Sequence, residues 1–326
     1  MTPESLRLFR ILADGKTLNG KRYAEAVGIS RAAVWKQVEQ LRAAGLPVKA
    51  VRGIGYRLAW PIRLLDADCI RRAAASQGLQ VEVVERTEST NRDLIECFTH
   101  RAVRVAEYQT GGRGRRGRGW VSPPGCGACF SFAFRFECGL QRLGPLSLVA
   151  GVIAAEAISR EGVPVGLKWP NDLVVDDAKL GGLLVEIRGV SDGPCEVVAG
   201  IGINIRLPRD DLAPRGFAAP DQDWTDLYTS APPEPAAEIE RNQLIGRLAR
   251  AMDAAFSAFE QTGFEPFMAR WRALDALHGR QVRVLWSNGE VLDGVAEGVD
   301  SQGSLRIEHA GGTRMVNAGE VSVRVD

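Results

Sequence analysis

Lysine is scarce in this chain and histidine scarcer. Arginine outnumbers lysine 35 to six, and from residue 61 onward 28 arginines stand against two lysines, Lys168 and Lys179, eleven residues apart. The three histidines, His100, His278 and His309, lie far from the one C-x-x-C pair, Cys126 and Cys129. No four-ligand zinc motif is therefore available, and no metal site is expected. A redox C-x-x-C would open a helix, yet CFSFAFRF alternates like a strand. No apolar run of about eighteen residues is present, which argues against a membrane-spanning helix or a membrane partner. The start, MTPESLRLFR, lacks the apolar segment of a secretory signal. A cytoplasmic protein with six reduced cysteines is the expectation. There is no Walker A motif, no internal repeat and no low-complexity tail.

What is present begins with an uneven charge. The 326 residues sum to +1, but residues 1–60 carry seven Arg and four Lys against four acidic residues, a net of +7. The remainder carries 30 basic and 36 acidic residues, a net of −6. That split suggests a small basic module attached to a larger, mildly acidic body. Within the module, residues 4–13 have helical periodicity, and Gly20–Val27 reads as a second helix broken at Gly28. Ser30 is a good N-cap for a third helix, RAAVWKQVEQLRAAG, with Ala33, Val34, Val38 and Leu41 on one apolar face. VKAV and YRLA around RGIG then read as a hairpin. Three helices and a hairpin make a winged helix-turn-helix. Its third helix would present Ser30, Arg31, Ala32, Trp35, Lys36 and Gln37 to a DNA major groove. Some winged helices only bind proteins or pack structurally, and that alternative stays open.

Trp60–Pro61 reads as a linker. From there to about residue 270, strands alternate with helices, and LGPLSLVAGVIAAEAISR reads as a long buried helix. Arg206–Asp223 is rich in proline and acid and is expected to be a mobile loop. Glu238–Leu274 is expected to be mostly helical, and the last fifty residues read as short strands forming a small β-barrel.

The stretch GGRGRRGRGW (111–120) holds four arginines and five glycines. Gly112, Gly114 and Gly117 satisfy G-x-G-x-x-G, but a dinucleotide turn needs a helix to follow, and VSPPG cannot supply one. An RNA-binding RGG tail lies in disordered sequence, whereas this stretch separates two strands. An anion-binding loop remains, its glycines permitting close backbone approach and its arginines offering forked donors to carboxylate and phosphate. The alternative is a basic surface loop without a ligand. The two lysines carry a similar pair of readings: chance survival, or positions where only a compact ammonium can approach an oxygen closely.

GRGRRGRGW followed by KWPNDLVV, KLGGLLVE and GIGINI resembles the biotin–protein ligases, and with the winged helix it resembles the bifunctional members that also repress biotin operons. The likeness covers nearly the whole chain. It implies an α+β protein with three parts. These are a winged helix-turn-helix DNA-binding domain (1–60), a mixed-sheet α/β catalytic domain of the class II synthetase-like type (61–274) and a C-terminal SH3-like β-barrel (275–326). It implies biotin and MgATP as substrates, a biotin carboxyl carrier protein as acceptor, operator DNA as partner, and a homodimer when the adenylate is bound. For biotin it implies Ser89, Thr90, Asn91, Gln109, Arg113, Gly114, Arg115 and Lys179. For ATP and the adenylate it implies Arg118, Trp120, Lys168, Asn171, Asp172, Asn204 and Trp224. Lys168, Lys179 and Arg115 would carry the chemistry, and Asp172 is the candidate partner for Mg²⁺. Without the resemblance, Ser89 reads simply as a helix cap. Three features depart from the family: Gly119 replaces a longer side chain before the tryptophan, residues 206–223 do not align, and the cysteines of SPPGCGAC have no family role.

Four functions are compatible with these residues: a ligase that is also a repressor, a ligase with a non-regulatory winged helix, a biotin-sensing transcription factor with weak catalysis, and a lipoate–protein ligase. The surviving lysines argue against the third, the +7 module against the second, and KWPND with GRGRRGR against the fourth.

Overall fold

The computed structural model describes residues 1–208, 223–231, 240–319 and 321–325. Most of the 206–223 segment, and with it the expected mobile loop, lies outside the described residues, as does the start of the expected helix at 238.

The basic module follows its sequence signals closely. Helix α1 (Pro3–Leu12) is capped by Thr2, α2 (Gly20–Val27) ends at Gly28 in the left-handed conformation, and Ser30 Oγ accepts from Ala33 N to start α3 (Arg31–Ala43). A two-residue strand, β1 (Leu18–Asn19), pairs with the hairpin β2 (Val48–Val51) and β3 (Gly55–Leu58). Leu8, Phe9, Leu12, Val34, Val38, Leu41, Leu46 and Leu58 form its core. On α3, Ser30, Arg31, Ala32, Trp35 and Lys36 are exposed. Gln37 is not; it is 9% exposed, so it does not share the outward face expected of it. It stands three residues after Val34 and four before Leu41, on the edge of the apolar stripe that faces the core. The linker is packed rather than free. Ile62 N donates to Ala13 O at 2.7 Å, and the Arg206 guanidinium lies 4.4 Å from the Trp60 ring centre and 3.7 Å from that of Tyr228.

The body is built on a seven-stranded mixed sheet. Its strands are β4 (Gln80–Thr87), β5 (Ala102–Gln109), β6 (Gly127–Phe136), β7 (Gly166–Lys168), β8 (Asp172–Val175), β9 (Ala178–Gly189) and β10 (Cys195–Asn204), in the order β4-β5-β6-β10-β9-β8-β7. Only β4 and β5 are parallel. A parallel pair needs a crossover, supplied by α5 (Thr90–Glu96), with α4 (Ala67–Ala74) preceding β4. This unit places the start of α5 and the end of β5 side by side, with Thr87 opposite Gln109. Helix α6 (Leu146–Ser159) is apolar all round and buried under the sheet. The segment Leu140–Ser159 is long and apolar enough to span a bilayer by length and composition, but most of it is buried inside the protein. It is a core helix, as the reading of LGPLSLVAGVIAAEAISR as a long buried helix expects. Helices α7 (Arg241–Thr262) and α8 (Glu265–Leu274) complete the layer.

The C-terminal strands β11 (Gln281–Trp286), β12 (Val291–Val299), β13 (Leu305–His309), β14 (Gly312–Val316) and β15 (Val321–Val325) form an antiparallel sheet in the order β14-β13-β12-β11-β15. Its inward residues, among them Val282, Val284, Leu305, Ile307 and Val323, join the same apolar cluster as α6 and the large sheet. The small sheet is thus packed onto the body. It also reaches the functional region through polar contacts: Trp169 Nε1 donates to Gly303 O at 3.0 Å, and Ala276 N to Leu167 O at 2.9 Å.

Candidate active site

One cavity of about 580 Å³ collects the residues singled out in the body of the sequence. Ser89, Thr90, Asn91, Gln109, Arg113, Gly114, Arg115, Arg118, Trp120, Lys168, Asn171, Asp172, Lys179, Asn204 and Trp224 all line it. Its size suits a ligand of drug-like dimensions.

One end is neutral and closely hydrogen-bonded. Ser89, Thr90 and Asn91 are each 3% exposed. Ser89 holds the N-cap position of α5, yet its side chain makes no capping hydrogen bond, which removes the simple cap reading. Gln109 Oε1 accepts from Thr90 N at 2.9 Å. Asn91 Nδ2 donates to Leu184 O at 3.2 Å and to Glu186 Oε2 at 2.8 Å, and Arg113 Nη2 lies 3.2 Å from that same oxygen. A Cβ on Gly200 would stand 2.2 Å from Asn91 Oδ1, so the first glycine of GIGIN makes room for this side chain.

The other end is cationic. The turn between β7 and β8 brings Lys168 opposite Asp172, and the β8–β9 hairpin brings Lys179 across to it, with Lys179 Nζ 2.6 Å from Asp172 Oδ1. That hairpin turns through Asp176 and Asp177, whose φ values of 47° and 67° suit a two-residue turn in which aspartate is tolerated. Asn171 is fixed by a bond from its Nδ2 to Leu183 O at 2.7 Å. Lys168 holds no ion pair among the described residues; burial pushes its pKa below the ordinary lysine value, and Asp172 draws it partly back. Burial likewise lowers the Arg115 guanidinium. Arg115 reaches Gly319 O at 2.9 Å and Asn171 Oδ1 at 3.4 Å.

The glycine-arginine stretch is a small hairpin in this structure. Trp120 N donates to Gly112 O at 2.8 Å, Gly114 N donates to Arg118 O at 2.7 Å, and Arg113 pairs with Gly119 as an isolated bridge. Its tip turns at Arg116 and Gly117, both at positive φ. Trp120 lies against β10, where a Cβ on Gly202 would stand 2.4 Å from its ring. The second glycine of GIGIN thus seats the tryptophan as the first seats Asn91. Lys179 Nζ is 6.0 Å from the centre of the Trp120 ring. Trp224 bridges beside Lys179, and Asn204 Nδ2 donates to Thr225 O at 3.0 Å.

Cys126 and Cys129 are buried and free. Burial pushes the Cys126 thiol up to about 12 and raises Cys129 as well, which disfavours the nucleophilic thiolate at both.

Comparison with known proteins follows this geometry. The biotin/lipoate A/B protein ligase family model matches residues 83–204, the biotin protein ligase C terminal domain 277–324, and an HTH domain 5–57. The bifunctional ligase/repressor BirA of Salmonella typhimurium is 37% identical over 327 residues, covering 99% of this chain and 98% of that protein. The protein of the same name from Escherichia coli K12 is 36% identical over 98% of this chain and 97% of its own length. The chain belongs to the bifunctional biotin protein ligase/repressor family. A biotin protein ligase from Aquifex aeolicus, solved in complex with biotin and ATP, matches with TM-score 0.62 and 25% identity, over 76% of this chain and 99% of that one. The likeness to BirA proteins bears out the ligase–repressor resemblance over the lipoate alternative.

Several groups at the ligase cavity were missed from sequence. Ser131, 0% exposed, bonds both Thr90 and Asn91, and Glu186 holds Asn91 and Arg113. The signal for Ser131 was present: it is the one polar residue in the run CFSFAF. The C-terminal contributions, Gly319 O and the wall Val321–Val323, have no sequence signature because a backbone carbonyl and the small side chains of an ordinary strand make them.

Proposed function

We propose that the cavity binds biotin at its neutral end and MgATP at its cationic end, and that it joins them. Biotin's carboxylate oxygen attacks the α-phosphorus of ATP. The bond to the β-phosphate breaks, giving biotinyl-5′-AMP and pyrophosphate. The amine of one lysine on a biotin carboxyl carrier domain then attacks the acyl carbon; an amide forms, AMP leaves, and the amine's proton is lost to solvent.

The observation that carries this reading is the convergence of the only two lysines beyond residue 60 on one cavity with Arg115 and Arg118. Bringing two anions together needs cations and fixed dipoles rather than a protein nucleophile. Lys168, desolvated and without an ion pair among the described residues, is assigned to the charge that develops at the α-phosphorus. Lys179, held by Asp172, is assigned to the biotin carboxylate and phosphate oxygens. Arg113, Gly114 and Arg115 contact biotin's tail and the acyl phosphate; Arg118, Trp120, Asn171, Asn204 and Trp224 flank the nucleotide. The described residues hold no group of three or more His, Cys, Asp or Glu side chains that could hold a metal ion, and among them Asp172 is the one carboxylate lining the cationic end of the cavity. That donor set fits Mg²⁺ carried in on ATP's phosphates, with Asp172 beside it, and does not fit a resident metal cage. Bound Mg²⁺ would neutralise phosphate charge.

The glycine-arginine hairpin closes over the adenylate and shields its mixed anhydride from water. The adenylate-bound protein, cytoplasmic and dimeric, represses biotin operon transcription through the N-cap Ser30 and through Arg31, Ala32 and Lys36 of α3. The boundaries 1–60, 61–274 and 275–326 divide the labour among DNA, chemistry and support. Incubation with biotin, MgATP and a carrier domain tests the ligase: the carrier lysine gains one biotinyl mass, and no gain under these conditions refutes it. Gel shifts test the repressor. Operator binding tightens when biotin and ATP are both present, through a two-fold dimer that offers two recognition helices to a palindrome. Equal affinity with and without them leaves a ligase with a non-regulatory winged helix.

A further inference from the structure

The neutral end of the cavity contains one more group that decides what it accepts. The geometry points to Ser131 as a positioning residue: by taking the Thr90 hydroxyl proton, it leaves Thr90 able only to accept a hydrogen bond from the ligand.

Counting protons gives the polarity. Asn91 Nδ2 faces two acceptors, Leu184 O at 3.2 Å and Glu186 Oε2 at 2.8 Å, so its amide orientation is fixed and Oδ1 points the other way. Ser131 Oγ lies 2.5 Å from that Oδ1. Two acceptors cannot meet at that distance, so the single Ser131 proton goes to Asn91. Thr90 Oγ1 lies 2.7 Å from Ser131 Oγ, and of these two only Thr90 still has a proton to give. Gln109 Oε1 is a second acceptor within 3.2 Å of Thr90 Oγ1, but a Thr90 proton turned there would leave the shorter 2.7 Å Thr90–Ser131 contact with no proton in it. The order Thr90 to Ser131 to Asn91 therefore runs one way. Ser131 is fully buried and Thr90 and Asn91 are 3% exposed, so water has little access to reverse it. Gly200 leaves room for this orientation of Asn91, since any Cβ there would strike Oδ1. What Thr90 offers to the cavity it lines is a lone pair.

With biotin as the ligand, on the reading above, the partner of Thr90 is a ureido N–H. A site built this way rejects an isostere that places an acceptor at the same point, because two lone pairs then face each other without solvent.

The test is adenylation by the full-length protein with biotin and with two isosteres, in each of which one ureido N–H is replaced by oxygen. Wild type should reject one isostere by about a hundredfold or more in kcat/KM. Ser131→Ala frees the Thr90 proton to turn toward the ligand. Its KM for biotin should rise while the KM for ATP holds, and the discrimination should narrow about tenfold. Ser131→Thr keeps the hydroxyl and should keep the discrimination. Unchanged discrimination in Ser131→Ala overturns the proposal, even if biotin binding weakens. Where Ser131→Ala does not fold, Thr90→Val serves: it has no lone pair to repel the ring oxygen, so unchanged discrimination there is equally fatal. Wild type that makes no biotinyl adenylate refutes the ligase reading itself, and this inference with it.

Discussion

The two ends of the cavity are built on opposite principles. At the neutral end, Thr90, Asn91, Gln109 and Ser131 satisfy one another, and the side chains are held before any ligand arrives. At the cationic end, Lys168, Lys179, Arg115 and Arg118 share the wall with a single carboxylate, Asp172, and burial disfavours the charged forms of Lys168 and Arg115. A satisfied polar network is stable alone and discriminates by the partners it refuses. Under-paired cations are costly alone and are relieved by an anion. The difference separates recognition from rate: the first end selects the acid, and the second stabilises the charge that develops when the acid reacts.

The comparison breaks most decisively at Lys168. Lys168→Arg keeps the charge but replaces a compact ammonium by a planar fork, so adenylation should slow by roughly a hundredfold or more. ATP–pyrophosphate exchange reads this directly. A variant with near-normal exchange would mean that charge alone is sufficient there. Arg115→Gly should act differently and less severely on adenylation. It removes the links to Asn171 Oδ1 and Gly319 O but leaves the lysine turn intact. The adenylate should form and escape, so biotin should appear on an unrelated lysine-rich protein; an absence of bystander labelling counts against a clamp at this position. At the neutral end, Gly200→Ala puts a methyl against Asn91 Oδ1. Its KM for biotin should rise about tenfold with the KM for ATP unchanged, in keeping with the value of a lost buried hydrogen bond. Equal loss of both would show that the ends are not independent.

Legibility in the sequence followed the same division. The cationic end was readable because its chemistry demands unusual residues: two lysines in an arginine-rich chain, and four arginines among five glycines in 111–120. The winged helix was readable from Ser30, Gly28 and the Val34, Val38 and Leu41 stripe, since caps and periodicity are local. Ser131 and Glu186 were not, because their roles come from strands brought together by the β5–β6–β10–β9 pairing, which no local pattern records. Gln37 failed for a related reason: recognition-helix position and core-facing stripe overlap at that residue, and packing takes it. The brace from the C-terminal sheet, Gly303 O on Trp169 and Gly319 O on Arg115, is carried by carbonyls that every residue has.

The smallest expected effect comes from outside the cavity and tests the physical premise about its cationic end, that an unpaired buried charge destabilises the fold. Asp275 pairs along the backbone with Leu167, the residue before Lys168, where α8 passes into the C-terminal sheet. One of its carboxylate oxygens accepts from Leu277 N at 2.9 Å; the other, Oδ2, is buried with no hydrogen-bond partner among the described residues. Burial raises its pKa from 3.8 to about 6, against smaller opposing effects from the Leu277 N–H and His278. The sign follows from proton binding. Between the unfolded and folded values the native state holds the extra proton, so stability falls as pH rises through that window. Below about 4 the group is neutral in both states and the penalty is absent; above about 6 it is fully present. Asp275→Asn keeps an oxygen for Leu277 N and carries no charge. It should therefore stabilise the protein by about 1–3 kcal/mol at pH 7, and the gain should disappear by about pH 4. Urea unfolding of both proteins across that range measures it. A gain that persists at pH 4 would assign the effect to packing rather than charge, and no gain at pH 7 would show that an unpaired buried charge beside the Lys168 strand is tolerated without cost.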